Sequence, residues 1–283
     1  MDDLKAPRPL AVVTGASSGI GYHLARLAAQ HGHDLVVAAD RPLEHAVADF
    51  KAAGARRVQA VRAELASRQG VDPLIQALQG HEVDVLMANA GHGLAGPFLE
   101  QDFGELQHVI DTRITGTLYL LQHVVRGMVA RGRGRVLLTG SVAGFPPGSL
   151  HAVYNGSKAF VDAFAHALRN EIRDSGVTVT LLIPGPTDTD FFERAHFADT
   201  RAGSRQKKDD PSYVARLGFD AMLRGEADVV TGWRNDLQVA TSKVAPAQTV
   251  VQVHRKIAEP EPDSGKQEHA GTTHEHPRME QEP

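Results

Sequence analysis

The residues best suited to chemistry are a tyrosine and a lysine four positions apart. Tyr154 is followed by Lys158, and this spacing places both side chains on one face of a helix. A phenol is a poor base at neutral pH because its pKa is about 10, but a neighbouring ammonium stabilises the phenolate form. Ser141 lies upstream, where its hydroxyl could orient a substrate oxygen. The pattern predicts proton transfer to or from an alcohol or carbonyl oxygen.

A glycine-rich turn near the N-terminus predicts a phosphate site. Residues 10–14 form a strand-like run, and a helix-like run follows the turn. Such a turn lets backbone N–H groups and a helix N-terminus approach a pyrophosphate. Its spacing differs from the usual dinucleotide fingerprint and from the P-loop, so a plain turn without a ligand stays open from this segment alone. The expected contacts are Gly15, Ser17, Ser18, Gly19, Ile20 and Gly21.

Acidic and basic residues at the end of the second strand bear on cofactor choice. Asp40 stands about 20 residues after the turn, where a carboxylate accepts hydrogen bonds from an adenosine ribose and repels a 2′-phosphate. It therefore favours NAD. Arg41 follows and could pair with that phosphate, so NADP remains an alternative. For either residue, a solvated charge at a strand end is the competing interpretation.

Three small residues end the fourth strand. Asn89, Ala90 and Gly91 leave room for a planar ligand at the carboxyl end of a central strand. Asn89 could brace the loop or contact the adenosine side of a cofactor. An ordinary Asn-Gly turn has the same composition, so this segment gains weight only together with the other motifs.

Composition argues against several kinds of site and partner. The chain has 283 residues and no cysteine, which excludes disulfides and thiolate chemistry. Its net charge is −4, so no overall basic field attracts nucleic acid or an anionic membrane. No run reaches the roughly 20 apolar residues of a spanning helix, and no histidine spacing typical of a metal site occurs. We expect a cytoplasmic protein with no metal, nucleic-acid or membrane partner.

Alternating strand-like and helix-like runs must position these residues. Several strand candidates are continuous Val/Leu/Ile runs, typical of a parallel sheet covered on both faces. The alternation predicts an α/β fold with a doubly wound, mostly parallel sheet flanked by helices. The strand candidates are 10–14, 34–39, 57–61, 83–88, 135–139, 177–183 and 228–231, and the helix candidates are 21–31, 43–53, 71–79, 111–130 and 152–175.

One domain accounts for this alternation. We expect it to span residues 1–258, with a substrate-covering loop at about 190–210 that follows a strand end. Residues 259–283 are rich in Glu, Pro, Gln and His and almost lack large apolar side chains. Such a tail cannot bury enough surface to fold, so we expect it to be disordered.

Together, these motifs resemble those of the short-chain dehydrogenase/reductase family. The resemblance runs from about Leu10 to Trp233. It implies a Rossmann-type fold with a seven-stranded sheet, and an NAD(P)-dependent oxidoreductase that transfers a hydride between nicotinamide and a secondary alcohol or ketone. The shared landmarks are Thr14-Gly-x-x-x-Gly-Ile-Gly21, Asn89-Ala-Gly91, Ser141, Tyr154-x-x-x-Lys158, and Pro184-Gly185 followed by Thr187 and Thr189.

The resemblance also implies roles for individual residues. Tyr154 would be the general acid/base, Ser141 would position the substrate oxygen, and Lys158 would support Tyr154 and hold the nicotinamide ribose. Pro184, Gly185, Thr187 and Thr189 would contact the carboxamide. Family members commonly form dimers or tetramers through two long helices, here 111–130 and 152–175.

Two positions depart from the family pattern. Arg113 stands where members commonly carry an Asn that holds a water chain leading from the lysine. A second cation would favour the phenolate, but it could also repel Lys158 and interrupt the proton relay. The alternative function is therefore a cofactor-binding sensor or scaffold with impaired catalysis. Glu64 stands where a shorter Asp usually touches adenine, a change that we expect to be tolerated.

An apolar pocket for a small alcohol or ketone is expected beside the cofactor. Its candidate residues all lie at the strand-end side where the active site must be. For the two phenylalanines among them, ordinary packing is the competing interpretation. The candidates are His92, Leu94, Val142, Phe145, Leu150, Phe191 and Phe192.

Overall fold

Seven parallel strands form one sheet in the computed structural model, which describes residues 8–189 and 208–232. Their order across the sheet is β3-β2-β1-β4-β5-β6-β7, so the direction of winding reverses between β1 and β4. Ligands of open α/β sheets bind at such a switch point. The strands are β1 (Leu10–Thr14), β2 (Asp34–Ala39), β3 (Val58–Arg62), β4 (Val83–Ala88), β5 (Gly134–Thr139), β6 (Val177–Ile183) and β7 (Asp228–Val230).

Helices cover both faces of the sheet. One face is covered by α1 (Gly19–Gln30), α2 (Glu44–Ala52) and α7 (Pro211–Arg224). The other is covered by α3 (Arg68–Ala77), α5 (Thr117–Arg131) and α6 (Ala152–Glu171). The remaining short elements are α4 (Phe103–Ile110), a π-helical turn (Asp111–Gly116) that joins α4 to α5, and two 3₁₀ turns (Phe98–Glu100 and Val142–Gly144).

Neighbouring residues of the central strands are buried on opposite faces. Val12 and Val13 are both fully buried, and they belong to different apolar clusters on the two sides of the sheet. Leu137 and Leu138 of β5 repeat this arrangement. Each such side chain contributes roughly 1.5–3 kcal/mol when it leaves water. The continuous apolar runs of the sequence therefore reflect a sheet with no solvated face.

The predicted doubly wound parallel sheet of seven strands is confirmed, with each strand within one residue of its expected bounds. Two helices, α4 and α7, were not among the helix candidates. The helix expected at 111–130 is interrupted by the π-helical turn before α5 begins. Most of the expected substrate loop and all of the tail at 259–283 lie outside the described residues.

The carboxyl ends of the strands place the candidate residues on one edge. Gly15 follows β1, Asp40 follows β2, Asn89 follows β4 and Gly140 follows β5, while Pro184 follows β6. All strand pairs are parallel, so these ends meet along the same edge. Within residues 8–189 and 208–232, no helix is long and apolar enough to span a bilayer.

Candidate active site

Tyr154 and Lys158 lie on the buried face of α6, one turn apart. The Lys158 ammonium donates a hydrogen bond to the carbonyl of Thr139, the last residue of β5, at 2.8 Å. That contact fixes the lysine at the carboxyl edge of the sheet. Burial lowers the pKa of Lys158 well below its ordinary value, and the positive charge of Arg113 lowers it further.

Ser141 lies directly beside this helix. It begins the 3₁₀ turn that packs on α6, and its Oγ accepts a hydrogen bond from the backbone N–H of Ala143 at 3.1 Å. With Oγ accepting, the hydroxyl proton can be donated elsewhere. Ser141 is 8% exposed, as is Tyr154. The structure therefore places Ser141 against α6, the helix that carries Tyr154 and Lys158.

Arg113 is buried against the tyrosine. Its guanidinium carbon lies 4.8 Å from the centroid of the Tyr154 ring, and its Nε donates to the carbonyl of His92 at 2.6 Å. Gly91 makes this approach possible, because a Cβ there would be 2.9 Å from the guanidinium carbon. Burial lowers the pKa of Arg113 from its ordinary value.

Asp162 is a residue of this site that the motif analysis missed. It follows Lys158 by one helical turn and is 6% exposed. Glycines at 140 and 144 make room for it, since a Cβ at either position would collide with the Asp162 carboxylate. Burial raises its pKa to about 7, while the Lys158 charge acts in the opposite direction. The signal in the sequence was the equal spacing of Tyr154, Lys158 and Asp162.

The Asp162 carboxyl makes stability depend on pH. Its folded pKa of about 7 lies above its ordinary value of 3.8, so folding favours the protonated form. This contribution is fully present below about pH 4 and is lost as the pH rises through about 7. From about pH 5.5 to about pH 7, the wild type should lose roughly 2 kcal/mol more free energy of unfolding than Asp162→Asn. Urea unfolding at both pH values measures this, with Asp174→Asn as an exposed control.

The glycine turn forms a cradle suited to an anion. Gly15 and Gly19 have φ of +69° and +57°, a conformation that side chains with a Cβ rarely adopt. A Cβ at Gly21 would collide with the carbonyl oxygen of Gly15. Ser18 is the N-cap residue of α1, and its side chain accepts no hydrogen bond from the first turn of that helix in the described structure. The first turn of α1 also contains no acidic residue. The N-terminal N–H groups of α1 therefore suit the pyrophosphate of a dinucleotide.

Side-chain hydrogen bonds join the glycine turn to the neighbouring strand ends. Thr14 Oγ1 accepts from the backbone N–H groups of Asn89 and Ala90, both at 3.0 Å. The Asn89 amide oxygen accepts from the hydroxyl of Thr139 at 3.1 Å. These contacts support the interpretation of Asn89 as a brace. They connect the edge from β1 through β4 to β5, where Lys158 is attached.

The segment after β6 passes beside the glycine turn. The backbone N–H of Gly185 donates to the Thr231 hydroxyl at 3.3 Å, and Thr187 forms a bridge with Asp209. Thr189 is close enough to Gly19 that a Cβ there would meet its methyl group at 2.9 Å. Pro184, Gly185, Thr187 and Thr189 thus lead from the end of β6 to the proposed cofactor cradle.

His92, expected among the substrate residues, lies beside Asp40. Its Nε2 is 3.2 Å from Oδ2 of Asp40, so the ring packs at the end of β2. The hydrogen bond from Arg113 to the His92 carbonyl holds the backbone there. Glu64 is exposed beside the same cluster, and Arg41 is exposed next to Asp40. This placement groups His92 with the expected ribose contacts.

Four other expected substrate residues, Leu94, Val142, Phe145 and Leu150, lie among the described residues. Leu94 is buried with Leu106 and Val109, and Val142 belongs to the core, with Phe145 packed against it. Leu150 has φ of +64°, and its carbonyl accepts from the N–H of Gly96 at 2.8 Å. That bond joins the loop after β4 to the loop before α6. Phe191 and Phe192 lie outside the described residues.

Within residues 8–189 and 208–232, no group of three or more His, Cys, Asp or Glu side chains could hold a metal ion. The reactive groups that the fold gathers are a phenol, an ammonium, a guanidinium, a hydroxyl and a carboxyl.

Comparisons with known proteins agree with this geometry. Residues 9–198 match the family model described as short chain dehydrogenase. An uncharacterized oxidoreductase of Myxococcus xanthus is 31% identical over 239 residues, covering 83% of this chain and 92% of its own. A very-long-chain 3-oxoacyl-CoA reductase of Mycosarcoma maydis is 31% identical over 249 residues, covering 83% of this chain and 69% of its own.

A solved structure shows the same architecture. A short-chain dehydrogenase from Sphingobium yanoikuyae, in complex with NADPH, is 26% identical with a TM-score of 0.74. The match covers 85% of this chain and 98% of the other. The chain therefore belongs to the short-chain dehydrogenase/reductase family of NAD(P)-dependent oxidoreductases.

Proposed function

We propose that this chain interconverts a secondary alcohol and a ketone, with Tyr154 as the general acid/base. The observation that carries the proposal is the buried phenol of Tyr154, which packs against the Arg113 guanidinium and lies one helical turn from Lys158, itself bonded to the end of β5. A group that gains and loses a proton beside a held oxygen is what this reaction needs.

Each residue of the site has a distinct role in the proposal. In reduction, Tyr154 donates its proton to the substrate oxygen, and in oxidation it accepts that proton. Ser141 donates a hydrogen bond to the same oxygen as negative charge develops. Arg113 packs on the Tyr154 ring, Lys158 is bonded to the end of β5, and Asp162 balances part of the positive charge of Lys158. A bound nicotinamide supplies or accepts the hydride.

The cradle of the glycine turn supports a dinucleotide as the cofactor. The positive φ angles and the uncapped α1 N-terminus fit its pyrophosphate, and Asp40 favours the free ribose of NAD. Arg41 leaves NADP as the second candidate. Besides Tyr154 and Lys158, the proposed contacts are Gly15, Ser17, Ser18, Gly19, Ile20, Gly21, Asp40, Arg41, Glu64, Asn89, Ala90, Gly91, Pro184, Gly185, Thr187 and Thr189.

Self-association forms part of the proposal. Helices α5 and α6 would provide the contact between two copies. Phe160 on α6 and Val129 on α5 are each 38% exposed, and the Phe160 ring stacks on Phe164 with centroids 5.9 Å apart. Apolar side chains of this kind on the outer surface of two long helices are suited to a helix-on-helix interface.

Turnover of a ketone panel tests the proposed activity. We expect reduced nicotinamide to be oxidised when the chain is mixed with NADH or NADPH and a series of 3-oxoacyl thioesters and apolar ketones, followed by nicotinamide absorbance. The 3-oxoacyl-CoA reductase among the relatives motivates the first series. Tight binding of a dinucleotide without oxidation of any substrate would instead support the alternative, a cofactor-binding sensor or scaffold.

A further inference from the structure

A row of three side chains leads from Asp40 to the surface. Oδ2 of Asp40 is 3.2 Å from Nε2 of His92, and Nδ1 of His92 is 3.0 Å from Nε2 of His108 on α4. His108 Nε2 is 4.0 Å from a carboxylate oxygen of Glu64. The side chains of Asp40, His92 and His108 are 33%, 27% and 37% exposed. Water and protons can therefore reach a group that lies beside Asp40.

The pattern of donors and acceptors assigns the protons in this row. An ionised Asp40 only accepts, so Nε2 of His92 must carry a hydrogen. In neutral His92, Nδ1 is then an acceptor, and Nε2 of His108 is the donor to it. Both hydrogen bonds, from His92 to Asp40 and from His108 to His92, are satisfied with both rings neutral. One added proton can also be accommodated, because a charged His92 donates from both nitrogens while His108 accepts.

The remaining charges near the row come from other elements. The Arg62 guanidinium, at the end of β3, donates to the Asp40 carbonyl at 3.2 Å, and Arg41 follows Asp40 in the chain. Arg113 holds the His92 carbonyl. The hydrogen bond from His92 lowers the pKa of Asp40, with smaller contributions in the same direction from the His92 and Arg41 charges. The carboxylate of Asp40 is therefore held in its anionic form.

We propose that the His92–His108 pair sets the preference between NADH and NADPH by controlling the net charge beside Asp40. The inference rests on the proposed function, in which Asp40 faces the adenosine ribose. With both rings neutral, Asp40 opposes a 2′-phosphate. With one proton shared by the pair, its charge is offset, and the cationic Arg41 and Arg62 are left to attract the phosphate.

The direction of the pH effect follows from this charge change. Histidine is the side chain that gains charge between about pH 5 and pH 8. NADPH should therefore bind better relative to NADH as the pH falls. One unit of charge at a partly exposed site within several ångströms of a phosphate changes its binding constant by about tenfold.

Fluorescence titration of the full chain with NADH and NADPH tests the proposal. We measure both dissociation constants from about pH 5.5 to about pH 8.5. The ratio Kd(NADPH)/Kd(NADH) should rise about tenfold more across this range in the wild type than in His92→Gln. Glutamine can still donate to Asp40 but cannot take up a proton. The 2′-phosphate of NADPH itself changes protonation in this range. Because that change affects the wild type and His92→Gln equally, it cancels when the two proteins are compared.

Three further variants complete the design. His108→Gln should also flatten the pH dependence, which keeps the test valid if His92→Gln does not fold. Asp40→Asn should lower the ratio throughout the range. His123→Gln, an exposed histidine on α5 bonded only to its own helix in the described contacts, should behave as wild type. Equal pH dependence in wild type, His92→Gln and His108→Gln would overturn the proposal, whereas failure to bind either nucleotide would overturn the proposed function.

Discussion

Tyr154→Phe is expected to abolish turnover while cofactor binding stays within about twofold of the wild type. The change removes only the hydroxyl that transfers the proton, and general acid/base catalysis contributes about 10²–10⁴-fold in rate. The aromatic ring, on which the Arg113 guanidinium packs at 4.8 Å, is retained. The Lys158 bond to Thr139 is also independent of the hydroxyl. Steady-state rates and nucleotide titrations, made on the same preparation, measure both quantities.

Tyr119→Phe provides the matched control for that experiment. Its hydroxyl donates to Asp72 on α3 at 2.9 Å. The variant loses one phenolic hydrogen bond but no group of the site, so its rate should equal that of the wild type. If Tyr154→Phe kept full activity across the pH range, Tyr154 could not be the acid/base, and the proposed mechanism would be wrong.

The fold was predictable because each local signal agreed with the buried sheet. Val12 and Val13 are neighbours that both lie in the core, and only a strand covered on two faces places consecutive apolar residues in this way. Helix α4 was not predictable on the same grounds. It has only eight residues and begins at Phe103, which is 75% exposed, so it lacks a clear apolar stripe.

Some residues of the candidate site were predictable from the sequence, whereas others were not. Ser141, Tyr154 and Lys158 were found from spacing along one helix and the strand before it, which is information local to the chain. The partners of Asp40 and Arg113 were not, because His92 and Tyr154 meet them only through the tertiary fold. Asp162 lies between these cases. Its four-residue spacing was visible, but its burial depends on Gly140 and Gly144.

Replacing Arg113 by Asn, the residue usual in the family, is expected to lower kcat/KM by about 10²-fold. The guanidinium stacks on Tyr154 and its Nε holds the His92 carbonyl, so the change removes both the cation packed on the phenol ring and a contact that fixes the loop. Loss of a desolvated cation–π contact costs about 2 kcal/mol or more, and a small displacement of an acid/base group costs a similar factor in rate.

Whether kcat/KM of Arg113→Asn falls or rises separates the proposed oxidoreductase from the alternative, a sensor or scaffold with impaired catalysis. If Arg113 only obstructs a proton relay that Asn would support, the variant gains activity, and the chain is better described as a sensor or scaffold with impaired catalysis. The described contacts favour a loss, because Gly91 has no side chain where the guanidinium packs, and an Asn side chain is too short to fill that space. Arg126→Asn, on the exposed side of α5, controls for removal of a charge, and steady-state kinetics on both variants with the same ketone measures the difference.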